Sequence, residues 1–213
     1  MDILYGGTFD PPHKGHERFV ELMMARLPDA RVHLLPCWQP VHKDKATASP
    51  EARLGMLRAL LQPWHGVRID QREIHARAPC YTLDTLIAWR QELGPKKSLV
   101  FALGSDSLAG LPTWSRWQQL TDVAHILVLP RPGCEEALPA AVRQHFTGRW
   151  LSSRDGGTLA QEACGRAMEL SGRALACASS DIRDGHASLA DTVPGRVLDY
   201  IKQERLYPSL EVE

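Results

Sequence analysis

DILYGGTFDPPHKGHERFVELMMARL, residues 2–27, reads as a strand, a turn and a helix in direct succession. Residues 2–7 are a short β-rich run ending in Gly6-Gly7, as a buried strand feeding a turn does. From residue 15 onward, Phe19, Val20, Leu22, Met23 and Leu27 fall at helical spacing, and Pro28 closes the pattern. A Gly-rich turn between a strand and a helix start is a phosphate-binding arrangement. The backbone N–H groups of Gly6, Gly7, Thr8 and Phe9 can converge on one anion, and the positive end of the helix adds to them. The spacing is neither G-x-G-x-x-G nor G-x-x-x-x-G-K-[ST], so this is neither a dinucleotide fingerprint nor a Walker loop. Three readings of His13 and His16 stay open on the residues alone: metal ligands, catalytic groups, or polar residues of a surface loop. A metal would need a third ligand, and there is no H-E-x-x-H pattern. With the helix starting at residue 14 or 15, His16 lies in its first turn. There the helix dipole opposes protonation and a bound polyphosphate favours it.

The rest of the chain extends this strand–helix alternation. Strands are expected over 31–37, 67–70, 98–104 and 124–130, and the unbroken apolar run SLVFALG (98–104) marks a central strand buried on both faces. Helices are expected over 49–62, with Ser49 as N-cap and Pro50 in the first turn, and over 82–93, ended by Gly94-Pro95. A short helix falls within 115–122. Residues 133–173 show no sustained period, 174–183 read as a last strand followed by a helix start, and 194–207 read as a closing amphipathic helix. Strand and helix alternate throughout, which predicts an α/β fold on a mostly parallel sheet.

The 213 residues suit one large domain or a domain with a small appendage, and 44% hydrophobic with 23% charged residues is ordinary for a soluble protein. Lys plus Arg equals Asp plus Glu at 25 each, so no global field draws the chain onto nucleic acid. The five cysteines, 37, 80, 134, 164 and 177, contain no C-x-x-C pair and suggest reduced, packed thiols. The N-terminal residues have no basic stretch followed by a long apolar one, and no apolar run reaches membrane-spanning length. No signal peptide and no membrane association are expected, and the cytoplasm is the expected compartment.

GGTFDPPHKGH resembles the signature of the H-x-G-H nucleotidyltransferase superfamily, and CASSDIR (177–183) resembles its late I-S-[SA]-T-x-I-R segment. Ser180 stands where threonine is usual and Ala178 where serine is usual. PVHK (40–43) resembles the superfamily's P-x-H-K element. APCYTLDTL (78–86), GSDSLAGLPTWSRWQQL (104–120) and VLPRPG (128–133) resemble stretches of the bacterial nicotinate-mononucleotide adenylyltransferases. The resemblance runs from Tyr5 to Tyr207 and is poor over 134–173. It implies a Rossmann-like, doubly wound sheet with helices on both faces and a small helical portion at about 179–207, all within a single domain 1–213.

The activity implied is adenylyl transfer from ATP to nicotinate mononucleotide, giving nicotinate adenine dinucleotide and pyrophosphate, a step of NAD biosynthesis. The resemblance gives His16 the α-phosphate, and His13 and Lys43 the leaving phosphates. Gly6, Gly7, Thr8, Phe9, Gly104, Asp106, Arg131, Ser180 and Arg183 are then expected around ATP, Asp106 through the ribose. A flat ring bearing a carboxylate needs an aromatic face and a few donors. Trp114 and Trp117 can supply the face, and Thr82, Asp84, Thr85 and Gln118 the polar contacts. Asp106 reads equally as a helix N-cap in GSDSL. Mg²⁺ is expected on the triphosphate, with no resident metal site. The implied partners are small molecules, with a homo-oligomer left open. Nicotinamide mononucleotide or 4′-phosphopantetheine as acceptor, and a non-catalytic nucleotide sensor, are the competing readings.

Overall fold

The computed structural model describes residues 1–39, 46–132, 137–153 and 155–210. Its strands are β1 (Asp2–Gly7), β2 (Arg31–Pro36), β3 (Val67–Ile69), β4 (Leu99–Gly104), β5 (His125–Leu129), β6 (Trp150–Leu151) and β7 (Ala167–Glu169). The helices of the first half are α1 (Lys14–Arg26), α2 (Pro50–Leu61), α3 (Arg72–Ala76), α4 (Thr82–Leu93) and α5 (Ser105–Ala109). Those of the second half are α6 (Leu120–Val123), α7 (Ala140–His145), α8 (Gly156–Gln161), α9 (Ser179–Arg183), α10 (Leu189–Thr192) and α11 (Gly195–Gln203).

The strands form one sheet in the order β3-β2-β1-β4-β5-β7-β6, with every pairing parallel. The chain winds outward from β1 to β3, then returns across the sheet to β4 and winds the other way. The reversal lies between β1 and β4, and a crevice opens there at the C-terminal strand ends. Alternate strand residues feed two cores, as strand periodicity requires. Ile3, Tyr5, Val32, Leu34, Val100 and Leu127 pack with Phe19, Val20 and Met23 of α1, Met56, Leu57 and Leu60 of α2, and Val197 and Ile201 of α11. Leu4, Leu99, Phe101, Leu103, Ile126 and Val128 pack on the opposite face with Leu83 and Leu86 of α4, Leu108 of α5 and Val142 of α7. The fold is thus the α/β one on a parallel sheet expected from the alternation, in the doubly wound, Rossmann-like form that the resemblance implies. No helix among the described residues is long and apolar enough to cross a membrane.

The local signals were accurate where they were chemical. Ser49 caps α2, its Oγ accepting from Ala52 N at 3.1 Å, with Pro50 in the first turn. Gly94, at φ 86°, closes α4. One expectation is overturned: residues 174–178 are not a strand, and the last strand is β7. The place beside β5 is already filled by β7, so the later segment makes its contacts at the start of α1. Ser179 Oγ donates to Pro11 O at 2.9 Å, and Cys177 packs beside Gly15.

Two buried polar residues tie the first loop to distant parts of the chain. Arg53, fully buried on α2, donates to Thr8 O at 2.9 Å, Cys37 O at 2.8 Å and Trp38 O at 2.7 Å. The Asp10 carboxylate accepts from Thr47 N at 2.6 Å, Ala48 N at 3.1 Å and the Tyr207 hydroxyl at 2.6 Å. Tyr207 reaches it from beyond the end of α11, across 197 positions of sequence. Burial and the adjoining carboxylate push the Tyr207 phenol up, so it stays a donor. Tyr207→Phe keeps the ring and removes the donor. It should lower unfolding stability by about 1–3 kcal/mol in a urea titration with an unchanged slope.

Candidate active site

The crevice between β1 and β4 is a cleft of about 670 Å³. Strand β1 runs through both Gly6 and Gly7, and the chain turns at Phe9, which takes the left-handed conformation at φ 54°. The glycines therefore make room rather than the turn. A side chain at Gly6 would meet the Phe101 ring at 3.0 Å, and one at Gly7 the Phe9 ring at 2.9 Å. The loop then passes through a cis Asp10–Pro11 peptide to His13, the N-cap residue of α1.

His13 and His16 stack, with ring centroids 3.7 Å apart and planes inclined at 32°. His13 N–H donates to His16 Nδ1 at 3.1 Å. An accepting Nδ1 puts the proton of a neutral ring on Nε2, so this one backbone bond makes His16 a donor through its far nitrogen. Phe9 holds the His16 ring from the side at 4.9 Å. Gly15 fits between the two histidines for a steric reason: a Cβ there would lie 2.9 Å from His13 Nδ1. His13 is 2% exposed, and neither of its ring nitrogens has a hydrogen-bond partner among the described residues. Burial, and then the Arg131 guanidinium, pull its pKa down to about 3. A buried ring whose nitrogens make no hydrogen bond among the described residues, facing a cleft, is suited to a ligand oxygen.

Across the cleft, β4 ends at Gly104 and α5 begins. Asp106 lies in the first turn of α5, whose N-cap is Gly104, so the N-cap reading of Asp106 does not hold. Its Oδ1 lies 3.3 Å from Arg131 Nε, and both side chains pass over Gly104, where a Cβ would collide with them. Arg131 is steadied by its own N–H, which donates to Ser105 Oγ at 3.0 Å. From the C-terminal side, α9 brings in Ser180 and Arg183, and Arg183 Nη1 donates to Asp10 O at 2.7 Å. The departure at residue 178 falls on the N-cap of α9, where alanine offers no side-chain acceptor.

The cleft therefore gathers Gly6, Gly7, Thr8, Phe9, His13, His16, Thr82, Gly104, Asp106, Trp114, Arg131, Ser180 and Arg183 of the residues selected from sequence. Five others lie outside its lining or the described residues. Thr85 is buried behind it and donates to Glu73 Oε1 at 2.6 Å. Asp84 is exposed and paired with Arg116 Nη2 at 2.5 Å. Trp117 packs against His145, with centroids 5.0 Å apart, and Gln118 is exposed. Lys43 lies outside the described residues. Sequence reasoning passed over Asp10, Glu73 and Tyr81, which also line the cleft. Tyr81 stood in the quoted YTLDTL stretch, whereas Asp10 and Glu73 act through partners distant in sequence. The carboxylates of the cleft already face protein donors, and no three His, Cys, Asp or Glu among the described residues are arranged to hold a metal.

The low pKa of His13 has a testable sign. In the unfolded chain this histidine takes up a proton below about pH 6.5, and in the fold it does so only near 3. Acid therefore favours the unfolded chain across that window, and stability falls as pH drops through it. In His13→Asn the loss of stability on acidification from about pH 6.5 to about pH 5 should be smaller by up to about 1.4 kcal/mol per pH unit, measured by urea unfolding.

Comparison with known proteins agrees with this geometry. The cytidylyltransferase-like family model matches residues 4–185. A Cellvibrio japonicus protein named as a probable nicotinate-nucleotide adenylyltransferase is 40% identical over 209 residues, spanning 96% of this chain and 97% of its own. One of the same name from Hahella chejuensis is 37% identical over 213 residues, spanning 96% and 94%. Among solved structures, Plasmodium falciparum nicotinic acid mononucleotide adenylyltransferase complexed with NaAD shares the fold, with a TM-score of 0.73 at 18% identity over 100% of this chain and 98% of that one. The chain belongs to the nicotinate-nucleotide adenylyltransferase family, within the cytidylyltransferase-like family.

Proposed function

We propose that this protein transfers the adenylyl group of ATP to nicotinate mononucleotide, forming nicotinate adenine dinucleotide and pyrophosphate. The observation that carries this reading is the stacked histidine pair at the β1/β4 crevice. One ring is fixed as a donor by a backbone bond, and the other is neutral, its nitrogens making no hydrogen bond among the described residues. An oxygen of the mononucleotide's 5′-phosphate attacks the α-phosphorus in line. The new P–O bond forms as the bond to the bridging oxygen breaks, and pyrophosphate leaves with those electrons. An ionised phosphate is already a nucleophile, so the protein contributes position and charge stabilisation and no covalent group.

His16 donates from Nε2 to the α-phosphate oxygens as negative charge builds there. His13 and Lys43 hold the leaving phosphates. The unbound His13 is neutral, and the arriving polyphosphate favours its protonated form. The Gly6–Phe9 turn, Ser180 and Arg183 surround the phosphates. Gly104, Asp106 and Arg131 take the adenosine side, with Asp106 accepting from the ribose. Thr82 and Trp114 take the pyridine side, and Asp84, Thr85, Trp117 and Gln118 are assigned to the mononucleotide with them. Mg²⁺ enters as the counter-ion of the triphosphate substrate, held by phosphate oxygens and water. The protein works in the cytoplasm.

Pyrophosphate release from ATP and Mg²⁺ should require nicotinate mononucleotide, and absence of release with either pyridine mononucleotide would refute the assignment. His16→Ala should slow turnover by roughly 10²–10³-fold with the mononucleotide KM little changed. Trp114→Ala and Trp117→Ala should raise the mononucleotide KM and spare that of ATP, and unchanged values would return these rings to packing.

A further inference from the structure

The chain beyond α11 is bent at a cost in backbone energy. Arg205 and Tyr207 both hold the left-handed conformation, at φ 51° and 54°, which residues with side chains adopt rarely. The bend is pinned by Leu206 N–H, which donates to Ile201 O at 3.0 Å, and by Leu210 N–H, which donates to Tyr207 O at 3.0 Å. Its result is to bury Tyr207 to 5% exposure with the hydroxyl on Asp10 Oδ1 at 2.6 Å. No step of adenylyl transfer uses this phenol, yet strained backbone persists only where the surrounding structure demands it. The demand comes from Asp10, and through Asp10 from Arg183.

An ionised carboxylate offers about four acceptor sites, and Asp10 has no exposed surface through which water could fill them. Three donors reach it at hydrogen-bond distance: Thr47 N, Ala48 N and the Tyr207 hydroxyl. The Arg183 guanidinium stands just outside, with Nε 3.9 Å from Oδ2, and its bond to Asp10 runs from Nη1 to the backbone carbonyl at 2.7 Å. A guanidinium carries five N–H donors, so most of this one is left for the cleft that Arg183 lines. A bound phosphate and the Asp10 carboxylate are therefore rival acceptors for one cation. We propose that Tyr207 is a positioning residue for adenylyl transfer: its hydroxyl fills the Asp10 carboxylate and so leaves Arg183 to the phosphates of ATP. This inference rests on the assignment of Arg183 to those phosphates. Without the hydroxyl, Oδ1 keeps Ala48 N at 3.1 Å and loses its shorter bond. The cation at 3.9 Å then closes on the carboxylate and withdraws from the cleft, because hydrogen bonds between ionised partners are among the stronger ones.

The test is a double-mutant cycle on kcat/KM for MgATP, with nicotinate mononucleotide saturating and each protein verified as folded by circular dichroism at the assay temperature. Tyr207→Phe should lose roughly tenfold in the wild-type background and less than about twofold in Arg183→Gln, where no cation is left to withdraw. Equal losses in both backgrounds overturn the proposal, because a merely structural tyrosine supports the fold whichever residue stands at 183. No loss in the wild-type background overturns it as well. Incorporation of 4-aminophenylalanine at position 207 returns an N–H donor on the same ring, and should restore kcat/KM to within about threefold of wild type. A folded protein without that recovery overturns the proposal even where Tyr207→Phe does not fold. Absence of pyrophosphate release from the wild type refutes the adenylyl-transfer reading instead, and the same cycle in ATP dissociation constants, by calorimetry, then decides the role of Tyr207 on its own.

Discussion

Asp10 is a carboxylate with no exposed surface, and the shape of the site depends on what it holds. Its two oxygens gather the backbone at residues 47 and 48 and the hydroxyl of Tyr207, while its carbonyl receives Arg183. Each of these segments borders the cleft or supports an element that does. The residue that precedes the two prolines of the loop is thus the point where the N-terminal loop, the approach to α2 and the C-terminal helices meet. Buried acceptors that lose a partner incur the full desolvation cost of the unmet atom. Such a junction therefore resists the independent movement of any one segment.

The histidine pair follows from that junction. With the loop fixed, His13 sits at the N-cap of α1 and its own N–H reaches back to His16, so the geometry of the second ring is set by the main chain of the first. Gly15 allows the His13 ring to lie across the helix start. The spacing H-x-G-H is then a single structural unit: one ring packed against bare backbone, one ring aimed by a peptide bond, and a helix turn that brings them into contact.

Much of this was legible in the sequence because the signals were local. The Ser49-Pro50 cap, the Gly94 stop and the apolar run of β4 each act within a few residues, and the structure places them as expected. The short elements α3, β6 and β7, two to five residues long, are below the length at which periodicity carries information. The stretch at 174–178 is apolar enough to suggest a strand, yet Leu175 is 41% exposed and Cys177 lies beside Gly15 at the start of α1. In the cleft, sequence motifs pointed to most of the selected residues that line it. They did not reveal Asp10 and Glu73, whose importance lies in hydrogen bonds to partners that only the fold brings near.

Arg53 carries a further consequence. The chain as a whole has a formal net charge of zero, yet a permanent cation is buried directly beneath the loop at Thr8, solvated by three carbonyl oxygens and with no ion pair among the described residues. Arginine cannot release its proton to relieve that burial, and the low-dielectric wall around it leaves its field poorly screened by salt. With Arg131 and Arg183 on the lining, it places three permanent cations in and beneath the cleft, where the carboxylates of Asp10 and Asp106 lie against Arg183 and Arg131 and leave Arg53 the one solvated by carbonyl oxygens alone. A fixed cation under the Thr8 backbone polarises the loop toward any anion that rests on it, whatever the pH.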